Sequence, residues 1–109
     1  MSKCIDGVDL ERCHSSKYVN EIYTIIGKWI FRIEGFENDL VIQVYESGSR
    51  FFPEANYSIK TPEQDGFYRH LNSHETVSEA LYQGLNGFLA YYKPERISET
   101  EFREEKLLG

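Results

Sequence analysis

The chain reads as an α+β domain: an antiparallel three- to four-stranded meander with one long C-terminal amphipathic helix packed across one face. Three observations predict it. Two stretches between Tyr23 and Glu46 are dense in β-branched and aromatic residues and alternate in polarity. Clusters of Gly, Asn, Asp and Ser interrupt them at hairpin spacing. From Val77 to Tyr92, apolar side chains recur at helical intervals behind a threonine suited to capping. At 109 residues the chain suits one domain, divided into a loosely ordered lead-in (1–17), a core (18–94) and a charged tail or short helix (95–109).

Residues 1–17 are polar, with Ile5, Val8 and Leu10 as aliphatic anchors, and predict at most a helical turn near Leu10 to His14. Asp6, Asp9 and Glu11 around Gly7 faintly suggest a calcium loop. They lack its alternation and its distal glutamate, so a solvated acidic turn is the reading. From Tyr18 to Glu34 two periods compete. Tyr18, Ile22, Ile25, Ile26 and Trp29 fit a helical stripe, whereas Tyr23, Ile25, Gly27, Trp29, Phe31 and Ile33 fit one face of a strand. β-Branched density decides for a strand from Tyr23. Its other face is polar at Thr24, Lys28, Arg32 and Glu34, interrupted by Ile22, Ile26 and Ile30.

Gly35 to Asp39 predicts a hairpin connection, and Leu40 to Glu46 a second strand with Leu40, Ile42 and Val44 sharing a face. Ser47 to Arg50 reverses the chain. Pro53 lacks a ladder donor, which puts Phe51 to Pro53 at an edge or in a loop and the third strand at Asn56 to Lys60. Phe67 to Leu71 fits a fourth strand and an ordered connector equally. Trp29, Phe31, Tyr57, Phe88 and Tyr92 are the expected core.

In the helix, the Thr76 hydroxyl caps the first turn and Glu79 is placed to reach back to the cap residue's amide. Val77, Ala80, Leu81, Gly84, Leu85, Phe88, Tyr91 and Tyr92 form its stripe. Tyr82 and Leu89 widen it to roughly 200°, against the roughly 100° that one sheet contact requires. The excess predicts a further cover. Gly84 lies on the stripe, where a missing side chain admits close approach; Gly87 has no evident reason in the sequence. Lys93-Pro94 ends the helix, and Ser98 followed by Glu101 predicts a short second helix from Glu99.

Twelve Lys and Arg against eighteen Asp and Glu give a net charge of -6, which repels phosphate backbones, so no nucleic acid is expected as a partner. No apolar run approaches the roughly 20 residues of a bilayer span, so no membrane association is expected either. The N-terminus carries no apolar signal block. The expected location is cytoplasmic, with reduced thiols, and the glycosylation sequon Asn56-Tyr57-Ser58 then reads as a chance match.

No Gly-x-Ser-x-Gly elbow, phosphate loop, His-Glu-x-x-His or Cys-x-x-Cys is present, and no cofactor is expected. The one set with metal-ligand character is Cys4, Cys13, His70 and His74, with His14 nearby. Eight residues separate the cysteines where zinc knuckles use two to four, so separate histidines and thiols are expected and no metal site is assigned. Aromatics left over from the core are the better lead. With Arg50 and Arg69 nearby, they are the side chains from which protein-binding hot spots are built. The interaction candidates are Tyr45, Phe52, Tyr68, Tyr82, Leu89 and Tyr91. The leading expectation is a non-catalytic module acting through protein contact, as a homodimer, an accessory subunit or an acidic inhibitor of a basic partner. The alternative is a small-molecule pocket between helix and sheet, lined by aromatics and serving a binding domain or small enzyme.

Overall fold

The computed structural model describes residues 8–108 and the backbone of Cys4 and Ile5. Predicted features at Asp6, Gly7 and the Cys4 thiol lie outside the described residues. The fold is mixed α+β, with a three-stranded antiparallel sheet, a separate two-stranded sheet and one main helix.

A two-residue ladder, β1 (Cys4–Ile5) with β2 (Val8–Asp9), leads into α1 (Leu10–His14). Asp9 is the cap of that turn: its carboxylate accepts from the Arg12 amide at 3.0 Å, the ordinary use of an aspartate before a helix.

The main sheet has the order β3 (Thr24–Arg32), β4 (Asp39–Ser47), β5 (Arg50–Ala55). Leu40, Ile42 and Val44 are fully buried on one face of β4, as the alternation predicts. In β3 the register shifts between Ile25 and Gly27. The extra residue of such a bulge moves everything before it to the opposite face. Ile25 therefore pairs with Tyr45 instead of joining Trp29 and Phe31, and Tyr23 meets the Tyr45 ring edge-on at 5.3 Å.

The third strand is not the predicted Asn56 to Lys60 but Arg50 to Ala55, with Pro53 inside it, opposite Val44. Phe51 turns its amide outward, to the His74 carbonyl at 2.8 Å. Two residues on, Pro53 turns the same way, so its missing N–H removes no bond to β4. Asn56 to Lys60 instead supplies β6 (Tyr57–Lys60), which pairs with β7 (Glu101–Glu104) in the second sheet. Asn56 is the joint. Its amide donates to the Val41 carbonyl at 3.0 Å, its side-chain oxygen accepts from the Val41 amide at 2.8 Å, and its carbonyl accepts from Glu105 at 2.8 Å. The side-chain nitrogen donates to Asp39 O at 3.2 Å, so the sequon's amide is engaged in holding the two sheets together.

The helix α2 (Val77–Tyr91) begins where Thr76 Oγ1 accepts from the Glu79 amide at 3.0 Å. The Glu79 carboxylate accepts from Gln83 at 2.7 Å rather than reaching back to the cap. The helix rests on β4, β5 and β6, and Gly84 marks its nearest approach. A Cβ there would stand 2.7 Å from Pro53 Cβ, closer than two carbons can pack. Because α2 sits over β4 and β5, Trp29 on the outer strand is left half-buried, lying over Gly27, and is not part of the core. The buried cluster is Leu40, Ile42, Ile59, Phe88 and Tyr92.

Phe36, read from sequence as a turn residue, is the centre of the aromatic packing. Its ring lies 4.8 Å from Phe102, 5.3 Å from Tyr57, 5.9 Å from Phe88 and 6.1 Å from Tyr92. It joins the β3–β4 connection to α2 and both strands of the second sheet. The end of α2 is tied to the same connection, since the Tyr92 hydroxyl donates to Glu34 O at 2.7 Å.

Beyond α2 the predicted helix from Glu99 is absent. A 3₁₀ segment (Pro94–Glu99) turns the chain into β7. The residues after β7 then cross the second face of the main sheet. Buried Gln43 donates to Leu108 O at 2.7 Å and to Glu54 Oε1 at 3.0 Å, and the Leu108 amide donates to that same oxygen at 3.1 Å. The C-terminal stretch is therefore a structural strap and not a free charged tail.

Two substitutions test this account in urea unfolding. Phe36→Ala should cost about 3 kcal/mol, as removal of a packed aromatic does. Gly84→Ala should destabilise by roughly 1–2 kcal/mol because overpacking against Pro53 outweighs the gain of about 1 kcal/mol in helix propensity.

Candidate functional site

Residues 61–76 connect β6 to α2 without regular structure, yet they are pinned along their length. The Tyr68 amide donates to Ile59 O at 2.8 Å, and His74 exchanges two bonds of 2.8 Å with Phe51. Arg50 holds the far end, donating from Nε to Ser73 Oγ at 3.0 Å and from a terminal nitrogen to Ser73 O at 3.1 Å. Phe67 to Leu71 is thus an ordered connector with one bridge, the second of the two predicted forms. Arg50 is committed to this segment and is not a free surface cation.

The pinned segment brings His70 and His74 together without a helix. Their Nε2 atoms are 2.8 Å apart, and Tyr68 Oη lies 3.1 Å from His70 Nδ1. One chain of donors satisfies all three: Tyr68 O–H to His70 Nδ1, then His70 Nε2–H to His74 Nε2. The reverse direction works equally well. Burial, reinforced by the charge His74 would carry, lowers the His70 pKa below its ordinary 6.5. Burial raises that of Tyr68. Gly87, unexplained by the sequence, faces this group: a methyl there would overlap the Tyr68 ring. Tyr68 also packs on Tyr91, with ring centres 5.0 Å apart.

A cleft of about 200 Å³ opens beside the trio, between α2, β5 and the strand-following residues Glu105 and Lys106. Tyr45, Phe52 and Tyr68 all line it, so three of the six predicted interaction residues converge on one place. Tyr45 and Phe52 stack at 5.2 Å and 10°. Of the other three, Tyr91 stands behind Tyr68, Leu89 is half-buried against the core cluster, and Tyr82 is 58% exposed on the outer side of α2. Of the metal candidates, His70 and His74 meet. Cys13 is an exposed free thiol on α1, and among the described residues no three of His, Cys, Asp or Glu gather as a cage would require.

A second feature is the outer edge of β3. Among the described residues this nine-residue strand pairs only with β4. Ile30 is 65% exposed, Ile25 41% and Ile26 36%. Ile26 and Ile30 are legible in the sequence as apolar interruptions of a polar face; Ile25 joins them through the bulge. No described helix is long and apolar enough to cross a membrane. No protein-family model, curated protein or solved structure matches the chain.

The depressed His70 pKa has a defined sign. The unfolded chain takes up a proton at His70 before the folded one does, so this contribution is complete above about pH 6.5 and is lost as pH falls through the folded-state value. Unfolding measured across pH should show a decline on acidification that His70→Gln reduces, and by NMR His70 should titrate below its ordinary 6.5.

Proposed function

We propose that the chain is a small non-catalytic module that acts through protein contact, and that its contact is the free edge of β3 paired antiparallel with β3 of a second copy. The observation that carries this reading is a nine-residue edge strand that pairs on one side only among the described residues and exposes three isoleucines beside Lys28 and Arg32, since an open edge of this length is a template for another strand.

Charge supports a second copy as the occupant. Consider the two-fold registers that keep the helices of both copies on the same side of the joined sheet. With Trp29 opposite its own counterpart, Lys28 lies opposite Ile30, and Arg32 falls at the bulge around Ile26. The neighbouring registers set Lys28 against Lys28, or Lys28 against Arg32, and like charges directly opposite are destabilising. One register thus covers apolar residues with the aliphatic stems of basic ones. The chain's net charge of -6 is carried elsewhere than on this edge, where Lys28 and Arg32 are the charged residues.

Sedimentation at micromolar concentration should find a dimer. Ile30→Lys should make it a monomer by setting a new ammonium group directly opposite Lys28 of the other copy, and adding Lys28→Glu should restore the dimer. Tyr82→Glu, on the outer face of α2, should leave it unchanged. A parent protein that sediments as a monomer at these concentrations overturns the reading. The alternative, a small-molecule pocket, is favoured by the convergence of Tyr45, Phe52 and Tyr68 on one cleft. It predicts an apolar ligand that raises the melting temperature, an effect lost in Gly84→Leu if the cleft is the site.

A further inference from the structure

We propose that His70 and His74 form a two-imidazole site for a divalent late transition metal of the nickel(II), copper(II) or zinc(II) class. The Nε2 atoms stand 2.8 Å apart on rings only 22° from parallel. Two metal–nitrogen bonds of about 2.05 Å meeting at a right angle span about 2.9 Å, whereas the same bonds at the tetrahedral angle span about 3.3 Å. With the ring centres 5.0 Å apart, the two Nε2 atoms face each other nearly head-on, so either geometry is reached by swinging both rings until their lone pairs converge on one ion.

The protons balance without net release. To present two lone pairs, the proton shared between the Nε2 atoms moves to Nδ1 of the ring that held it. On His70 that N–H has an acceptor in place, Tyr68 Oη at 3.1 Å, the kind of outer partner that fixes the tautomer and ring orientation of a ligating histidine. The frame is rigid enough to matter: Tyr68 is held by Ile59, and His74 by both of its backbone bonds to Phe51. Both imidazoles are half-buried, which limits the ring positions they sample. With no third protein ligand gathered among the described residues, water or a small ligand completes the coordination. His70 also lines the aromatic cleft, so the open positions face a space that a small ligand can enter. This is an exchangeable site and not a structural cage.

The test uses the untagged full chain, stripped by chelator, titrated separately with nickel(II), copper(II) and zinc(II) chloride by calorimetry and thermal unfolding. One equivalent of nickel should bind and raise the melting temperature. His70→Gln and His74→Gln should each weaken nickel binding about tenfold or more, Tyr68→Phe should weaken it severalfold, and Cys13→Ser should not change it. Paramagnetic nickel should broaden the imidazole resonances of His70 and His74 in the parent protein before any others, a readout independent of whether the variants fold. Absence of saturable binding at sub-millimolar nickel, binding that survives His70→Gln, or broadening centred first on His14 overturns the site.

Discussion

Two positions without side chains on α2 set how closely everything else can stand. Gly84 lets the helix backbone descend onto Pro53 and Ile42, and Gly87 admits the ring of Tyr68. Each glycine weakens an isolated helix by about 1 kcal/mol, so both are understood only through what they touch. With a methyl at the first, the helix lifts from the sheet and the layer over Leu40, Ile42 and Val44 opens. With a methyl at the second, Tyr68 is displaced and the segment carrying His70 loses the ring that holds it to the helix.

The same economy appears where the sheets meet. A chain that leaves β5 for β6 without a turn must still satisfy the backbone groups it passes. Asn56 does so by using its side chain as a second peptide, so that Val41 is bonded on both its amide and its carbonyl. That joint turns β6 out of the main sheet and toward β7, and Phe36 fills the angle between them. The last residues then return across the far face to bury Gln43. One face of the sheet is covered by a helix and part of the other by a strap, which among the described residues leaves the β3 edge as a long unpaired border.

The candidate site is legible in the sequence in part. Tyr45, Phe52 and Tyr68 stand out as aromatics in excess of the core's needs, and they do share a cleft. The same argument does not separate them from Leu89, which faces the core, because hydrophobicity alone does not tell which side of a helix is covered. The spacing of His70 and His74 suits a helical geometry that is absent. They meet because an irregular segment is pinned at Ile59 and Phe51, a pairing of residues remote in sequence that no local pattern encodes.

The sequence by itself determined the elements whose causes are local: the cap at Thr76 and the helix behind it, the alternation of β4, the turn at Leu10 to His14, and the α+β class that follows from them. Tertiary structure decided the rest. Pro53 could enter a strand only because its amide faces away from β4, and the β3 bulge moved Ile25 to the outer face. The charged C-terminus became a strand because β6 offered a free edge. Those outcomes depend on which backbone groups lack a partner once the sheet exists, and that information belongs to the assembled chain and not to any window of residues.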